Sequence, residues 1–355
     1  MRPPAILRGA WRKRRYWKWL IHDERSNPFH PGWGERLRAW RKGFLSRNYR
    51  WFGLDGRDAS DYLSDRVRYL GTSSINEPYA NVLDDKLLFH EVFRRHDGLL
   101  PDAYALLRKG QVIPLSAEGV ASVDAVLDLL AVERRLILKP TTGGGGAGVT
   151  VLEPCADGRF SVGGETRSRD ETREFLATRR EHIVEQYVEC AAYARAIYPG
   201  TSNTIRVLTV WEEETEQAFL PYAIHRFGTR RSNGVDNFAR GGVAAWIDVE
   251  TGTMGPVVSM GPDGRPAYSR VHPETGAAVE GVIVPHWARL AERMVALAAD
   301  YPFIPYVGWD LVITDAGMRI FEGNSFTGAE VFQLQRPLLA HPRLRRFYQR
   351  RGVIP

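Results

Sequence analysis

Residues 136–152 read LILKPTTGGGGAGVTVL, and the fold turns on whether a helix or a strand comes after the glycines. Taken literally, Gly143, Gly145 and Gly148 satisfy G-x-G-x-x-G, the fingerprint of a dinucleotide fold. That fold needs a helix directly after the glycines, whereas Val149, Thr150, Val151 and Leu152 form a β-branched run that predicts a second strand. A Walker phosphate loop is excluded too, because Val149 stands where its lysine must be. What remains is a glycine-rich hairpin, Gly143, Gly144, Gly145, Gly146 and Gly148, with Lys139 ending its first strand. Two readings are open. The hairpin is a lid over a nucleotide's phosphates, with close backbone approach from the glycines and charge from the lysine, or a mobile surface hairpin whose lysine points into water.

A second hairpin lies downstream, where residues 307–313 (VGWDLVI) and 318–324 (MRIFEGN) predict two strands. A three-residue loop, Asp315-Ala316-Gly317 with Gly317 left-handed, is the expected connection. That register pairs Asp310 with Glu322, and side-chain alternation puts Asn324 on the face of Glu322. Three oxygen ligands suit magnesium or manganese, hard cations that bridge one or two carboxylates to substrate phosphates. The other reading is an edge hairpin with its carboxylates in water, and opposed like charges with no cation between them weigh against it.

Upstream, Asp84 and Asp85 predict a helix start, with Leu87, Leu88, Val92 and Phe93 as its apolar face. Lys86 then falls in the first turn, where a cation opposes the helix dipole unless an anion sits beside it. An exposed lysine with no role is the alternative. Short β-rich runs at 135–139, 148–152, 182–188, 204–210, 218–226 and 243–248 are interspersed with helices, the last over 285–300 with Trp287, Leu290, Met294 and Leu297 on one stripe. The mixture is α+β, without an internal repeat. No His-Glu zinc-protease motif or G-x-S-x-G elbow is present.

Charge sets the first segment apart. Residues 1–53 hold 14 Lys and Arg against three acids, +11, so the rest of this net +6 chain carries −5. The same segment holds Trp11, Trp17, Trp19, Trp33, Trp40 and Trp51, six of ten tryptophans, as expected of an arm that meets a polyanion or an anionic membrane. Within it, Ile6, Leu7, Ala10, Trp11, Trp17, Leu20 and Ile21 recur at helical spacing with Arg8, Arg12, Arg15 and Lys18 between them. This basic amphipathic helix either lies in a lipid interface or docks on its own domain. A turn-rich stretch, 26–34, separates it from a second basic helix near 35–45. No apolar run is long enough to span a membrane, and Cys155 and Cys190 lie far apart, outside any metal or redox spacing. The cytoplasm is the expected compartment, peripheral to the inner face of the membrane if the arm binds lipid.

In order along the chain stand DDKLL (84–88), LILKPTTGGGGAGV (136–149), VEQYV (184–188), NTIRVLTV (203–210), DNFARGG (236–242) and GWDLVITDAGMRIFEGNS (308–325). This series resembles the ATP-grasp superfamily, most nearly its sugar-transfer-associated branch, over roughly residues 80–335. At longer range it is similar to the ligase that adds glutamates to a ribosomal protein tail. The resemblance implies ATP held between two α+β subdomains, with Lys86 and Lys139 on phosphates. Glu185 would accept from the adenine amino group, and the backbone of Gln186, Tyr187 and Val188 would read the adenine edge. Arg206 and Arg226 would face the transferring phosphoryl group, with Asn237 and Arg240 of the DNFARGG string nearby, and magnesium or manganese would lie on Asp310, Glu322 and Asn324. Glu189 is the candidate ribose-binding acid. The chain departs from the pattern at Ser325-Phe326-Thr327-Gly328, where many relatives have Ser-Ser-Pro-Gly, and this leaves the substrate open.

Such proteins phosphorylate a carboxylate and let an amine attack the acyl phosphate, so the chemistry needs positioning and cations rather than a nucleophilic side chain. The expectation is an ATP- and Mg2+-dependent carboxylate–amine ligase for a saccharide-, amino-sugar- or peptide-like metabolite. A kinase on the same fold, and a membrane or nucleic-acid adaptor with a silent ATP site, are the alternatives, with nucleic acid the less expected partner. Five segments are expected: the arm 1–53, a pre-ATP region 54–115, a first subdomain 116–200, a second 201–340 and a basic tail 341–355.

Overall fold

The structure is a computed structural model describing residues 5–27, 29–96 and 98–355; the side chains of residues 5–12 and 15 lie outside the description, and with them the expected apolar face at Ile6, Leu7, Ala10 and Trp11. In chain order the helices are α1 (Ala5–Arg25), α2 (Trp33–Arg41), α3 (Ser46–Trp51), α4 (Asp65–Gly71), α5 (Asn81–Asp84), α6 (Lys86–Phe93), α7 (Val123–Glu133), α8 (Arg169–Ala177), α9 (Ala192–Ile197), α10 (Trp287–Asp300), α11 (Glu330–Gln333) and α12 (Pro342–Arg350). The chain has an α+β architecture and divides into two compact units. One comprises Met1–Tyr79, Tyr193–Trp309 and Asn324–Pro355, the other Ala80–Ala192 and Asp310–Gly323.

The second of these units is built on strands β1 (Ala103–Arg108), β2 (Gln111–Pro114), β3 (Leu136–Pro140), β4 (Thr150–Pro154), β5 (Phe160–Val162), β6 (Glu165–Arg167) and β7 (Arg180–Gln186), in the order β2-β1-β7-β3-β4-β5-β6. One face is apolar: Leu136 and Leu138 of β3, Leu152 of β4 and Val184 of β7 pack against Val126, Leu127 and Leu130 of α7 and Leu176 of α8. Each fully buried leucine contributes about 2 kcal/mol. Both helices start where their sequences say they should, α7 with Ser122 Oγ accepting from Ala125 N and α8 with a Ser168–Glu171 capping box. Because strand side chains alternate, burying Leu136, Leu138 and Val184 on one face turns Lys139 and Glu185 to the other.

In the larger unit β8 (Ile205–Glu212), β9 (Gln217–Phe227), β10 (Val243–Ile247), β11 (Met254–Met260) and β12 (Pro266–Ser269) follow the order β12-β11-β10-β9-β8. Its core joins Leu208, Val210, Ile224 and Tyr306 to Phe332, Leu344, Phe347 and Tyr348. Residues 341–355 are therefore no free tail. They carry α12, with Tyr348 and Tyr306 hydroxyls 2.8 Å apart and Arg343 and Arg351 on Glu212 and Glu213. The basic arm is not a separate domain either. Tyr16 and Leu20 pack on Leu45, Trp19 stacks on Tyr69 at 4.9 Å, and Glu24 accepts from Ser46 N and Trp40 Nε1.

One face of α1 is thus docked, as the second reading of the arm had it, while Trp17 (59% exposed) and Ile21 stay in solvent, as do Trp33 (77%) and Leu37 of α2. Among the described residues no helix is long and apolar enough to cross a membrane. Cys190 is buried and Cys155 half-buried, and neither forms a disulfide. The last hairpin, β13 (Tyr306–Thr314) and β14 (Gly317–Asn324), is closed by Asp315-Ala316 alone, one residue shorter than expected, and Gly317 has φ +149°.

Candidate functional site

In the smaller unit β3 and β4 pair antiparallel, Leu136 with Leu152 and Leu138 with Thr150, so the glycines close a hairpin and do not open a helix. Gly148 could not be replaced without strain: its φ is +74° and a Cβ there would lie 2.8 Å from Pro140 Cγ. The loop is anchored by the start of α6. Asp85 caps that helix, accepting from Leu87 N and Leu88 N, and Lys86 N donates to Thr141 O at 2.8 Å. Lys86 is buried, donating from Nζ to Gly143 O at 2.9 Å, with Glu322 Oε2 3.8 Å away. The anion expected beside a first-turn lysine is therefore a carboxylate of β14.

Lys139 is 7% exposed, and its Nζ donates to Glu185 Oε2 at 2.6 Å while lying 4.9 Å from the Phe321 ring centroid. Glu185, 1% exposed, holds His90 Nε2 at 3.0 Å through its other oxygen. Burial by itself would raise the Glu185 carboxyl, but the Lys139 charge and the His90 contacts outweigh it and bring the group down to about 2. Sequence reasoning missed His90. The signal was there: four residues after Lys86 on one helix, it shares that lysine's face. The Glu185 side chain, expected to accept from an adenine amino group, accepts from Lys139 Nζ and contacts His90 Nε2.

At the end of β7 Gln186 N donates to Asp102 O at 2.8 Å, and beyond it Tyr187 lies under the Arg135 guanidinium at 5.2 Å, Val188 is buried and Glu189 exposed. Asp310 is buried and Glu322 half-buried in this same unit, whereas Asn324 belongs to the larger one, its Nδ2 donating to Gly308 O at 3.1 Å. Among the described residues no group of three His, Cys, Asp or Glu is placed to hold a metal. Asp310 and Glu322 each offer carboxylate oxygens, and Asn324 an amide oxygen, all hard donors.

In the larger unit, pairing of Arg206 with Ile224 across β8 and β9 puts Arg206 and Arg226 on one face. Arg226 donates through Nε to Thr204 Oγ1 at 3.0 Å and lies 3.6 Å from Asp236 Oδ1; Arg206 reaches Thr327 Oγ1 at 3.5 Å. Thr327 itself fills the space left by Gly308, where a Cβ would come within 2.0 Å of its Oγ1. Asn237 serves as a cap, its Oδ1 accepting from Ala239 N at 2.9 Å. Arg206, Arg226 and Asn237 line a cavity of about 170 Å³ together with Arg47, Trp51, Phe238 and Glu330, while Arg240 is exposed and outside its lining. Arg47 and Glu330 escaped the sequence reading, and Trp51 was read only as part of the basic arm, because nothing in their spacing marks this cavity.

The family model for sugar-transfer-associated ATP-grasp proteins matches residues 66–349. The chain belongs to this family. An ATP-grasp ligase, PsnB, bound to a precursor variant, Mg and ADP is 13% identical over 73% of this chain and 56% of its own, with a TM-score of 0.38. D-alanyl-alanine synthetase A from Vibrio cholerae is 10% identical over 76% and 65%, at 0.43. An L-amino acid ligase from Bacillus licheniformis is 9% identical over 74% and 48%, at 0.36. The ATP-grasp chain described here thus spans about half to two thirds of the length of the structures it matches. No curated protein matches it.

Proposed function

We propose that this ATP-grasp protein is an ATP- and magnesium-dependent ligase that joins a carboxylate to an amine through an acyl phosphate, on a saccharide-, amino-sugar- or peptide-like metabolite. The observation that carries the reading is the position of Lys86, whose Nζ touches both the glycine loop at Gly143 O and the Glu322 carboxylate. Loop, lysine and acid are one construction, suited to a phosphate chain with its cation. Lys86, Lys139 and the backbone of residues 143–148 would bind the phosphates, and residues 186–188 the base. Asp310 and Glu322, with Asn324 two residues further along β14, would hold magnesium, and their all-oxygen chemistry fits it. Bound there, magnesium supplies charge neutralisation for phosphoryl transfer. The chain's own part is to hold Lys86 and Lys139 oriented, which the contacts to Gly143 and Glu185 do.

Glu322→Gln should lower magnesium-dependent ADP release by about two to three orders of magnitude, the scale for losing one charge-stabilising group, with the circular dichroism spectrum unchanged. Wild-type turnover in that variant would overturn the metal assignment. We further propose that Trp17, Ile21, Trp33 and Leu37, with the exposed Lys13, Arg14 and Lys18, meet an anionic lipid surface.

A further inference from the structure

The NTIR and DNFARGG strings meet on a side chain that belongs to neither, Arg226 of β9. Thr204 lies opposite it just before β8, and Arg226 N donates to Thr204 O at 2.8 Å. The side chains repeat the contact: Thr204 Oγ1 accepts from Arg226 Nε at 3.0 Å and from Arg226 Nη2 as well. Asp236, from the second string, holds the threonine backbone, its Oδ2 accepting from Thr204 N. Both Thr204 and Asp236 are buried.

The turn that delivers Thr204 is itself fixed. Asn203 has φ +48°, a left-handed conformation that asparagine tolerates. Its buried side chain donates to Ala194 O at 3.0 Å and Tyr198 O at 2.6 Å and accepts from Thr201 Oγ1 at 2.7 Å. A long arginine side chain has many rotamers to lose, and an oxygen that takes two N–H groups from one edge sets the plane of the guanidinium fork. The charge of that oxygen matters too. Asp236 Oδ1 is 3.6 Å from Arg226 Nη2, beyond hydrogen-bond range, whereas the bonds to Thr204 end on a neutral hydroxyl, which orients the guanidinium without cancelling its charge. Arg226 lines the cavity beside Arg206 and Asn237.

We propose that Thr204 is a positioning residue: its hydroxyl fixes the Arg226 guanidinium in the orientation in which it meets the transferring phosphoryl group, and Asp236 and Asn203 hold the threonine in place. The inference rests on the reading of Arg226 as a residue that faces that group, and goes beyond it by naming what aims the side chain.

The test uses the full chain with magnesium and two probes, ADP and adenylyl imidodiphosphate, with dissociation constants from titration calorimetry. The analogue carries the terminal phosphoryl group that ADP lacks. Arg226→Gln should weaken the analogue about tenfold, the scale of one charge-assisted hydrogen bond, and leave ADP affinity unchanged. Thr204→Val, which keeps the shape and removes the hydroxyl, should weaken the analogue by the same order, again without touching ADP. Thr204→Ser should restore wild-type binding of both. Thr204→Ala set against Thr204→Ser carries the test if Thr204→Val fails to fold. Analogue affinity reduced by Arg226→Gln but unmoved by loss of the Thr204 hydroxyl, equal losses in the serine and valine variants, or a loss shared equally by ADP, as a merely structural threonine would give, would each overturn the proposal and leave the reading of Arg226 standing. Arg226→Gln without effect on the analogue, or a wild-type chain that binds neither nucleotide, would bring down that reading and the proposal with it.

Discussion

The two units differ in how completely their buried polar groups are satisfied. In the smaller one Lys139, Glu185 and His90 satisfy each other, and Lys86 sits between Gly143 and Glu322. In the larger one Trp51 Nε1, Arg47 Nε and Glu330 Oε2 are buried without a hydrogen bond, and Asp65 is buried, accepting from Leu45 N and Asn48 Nδ2. The first arrangement is complete as folded. The second leaves buried donors and an acceptor without hydrogen bonds.

The largest effect is expected where the pairing is tightest. Lys139→Met leaves Glu185 buried with His90 alone and should destabilise the smaller unit by about 3–5 kcal/mol in urea unfolding. Adding Glu185→Leu should recover most of that loss, since removing both charges leaves nothing uncompensated. A double variant as unstable as the single one would show that the pair is not self-contained.

Acid titration sharpens the contrast next. Glu185 is held down to about 2 against an ordinary value of 4.5, so its contribution is full above pH 4.5 and is lost as pH falls towards 2. Asp65 has the opposite sign. Burial pushes it up to about 7, which its two hydrogen bonds do not offset, so folding takes up a proton between pH 3.8 and 7. Its contribution is full below 3.8 and is lost as pH rises through 7, at a slope of up to about 1.4 kcal/mol per pH unit. Asp65→Asn should flatten the pH dependence of the larger unit in that window; an unchanged slope would contradict the assignment.

Much of the smaller unit is readable in the sequence, because its signals are local. The β-branched run after Gly148 decides hairpin against helix, and Asp85 marks the start of α6. What it meets across the chain is not readable: His90 needs β7 beside it, and the return of residues 310–323 to this unit cannot be seen in a linear segmentation. The arm shows the same limit. Periodicity gives α1 an apolar face, but only the fold tells that Tyr16, Trp19 and Leu20 find Leu45 and Tyr69 while Trp17 and Ile21 find solvent. Deleting residues 1–53 would therefore remove Leu45, Tyr49 and Trp51 from the core and is no test of lipid binding.

Point changes at the surface are that test, and the smallest effect expected. Trp17→Ser with Ile21→Ser should weaken co-sedimentation with phosphatidylserine vesicles several-fold at low salt, while unfolding shifts by no more than about 0.5 kcal/mol. Equal sedimentation would leave the arm with a structural role alone.

The most direct measurement of the central claim is ADP release by the full chain with magnesium and ATP, given pools of carboxylates with and without amines, each positive resolved by mass spectrometry. The account predicts release only when both are present, and a product with the mass of carboxylate plus amine less one water. A phosphoryl group gained by a hydroxyl, with no need for an amine, would contradict it.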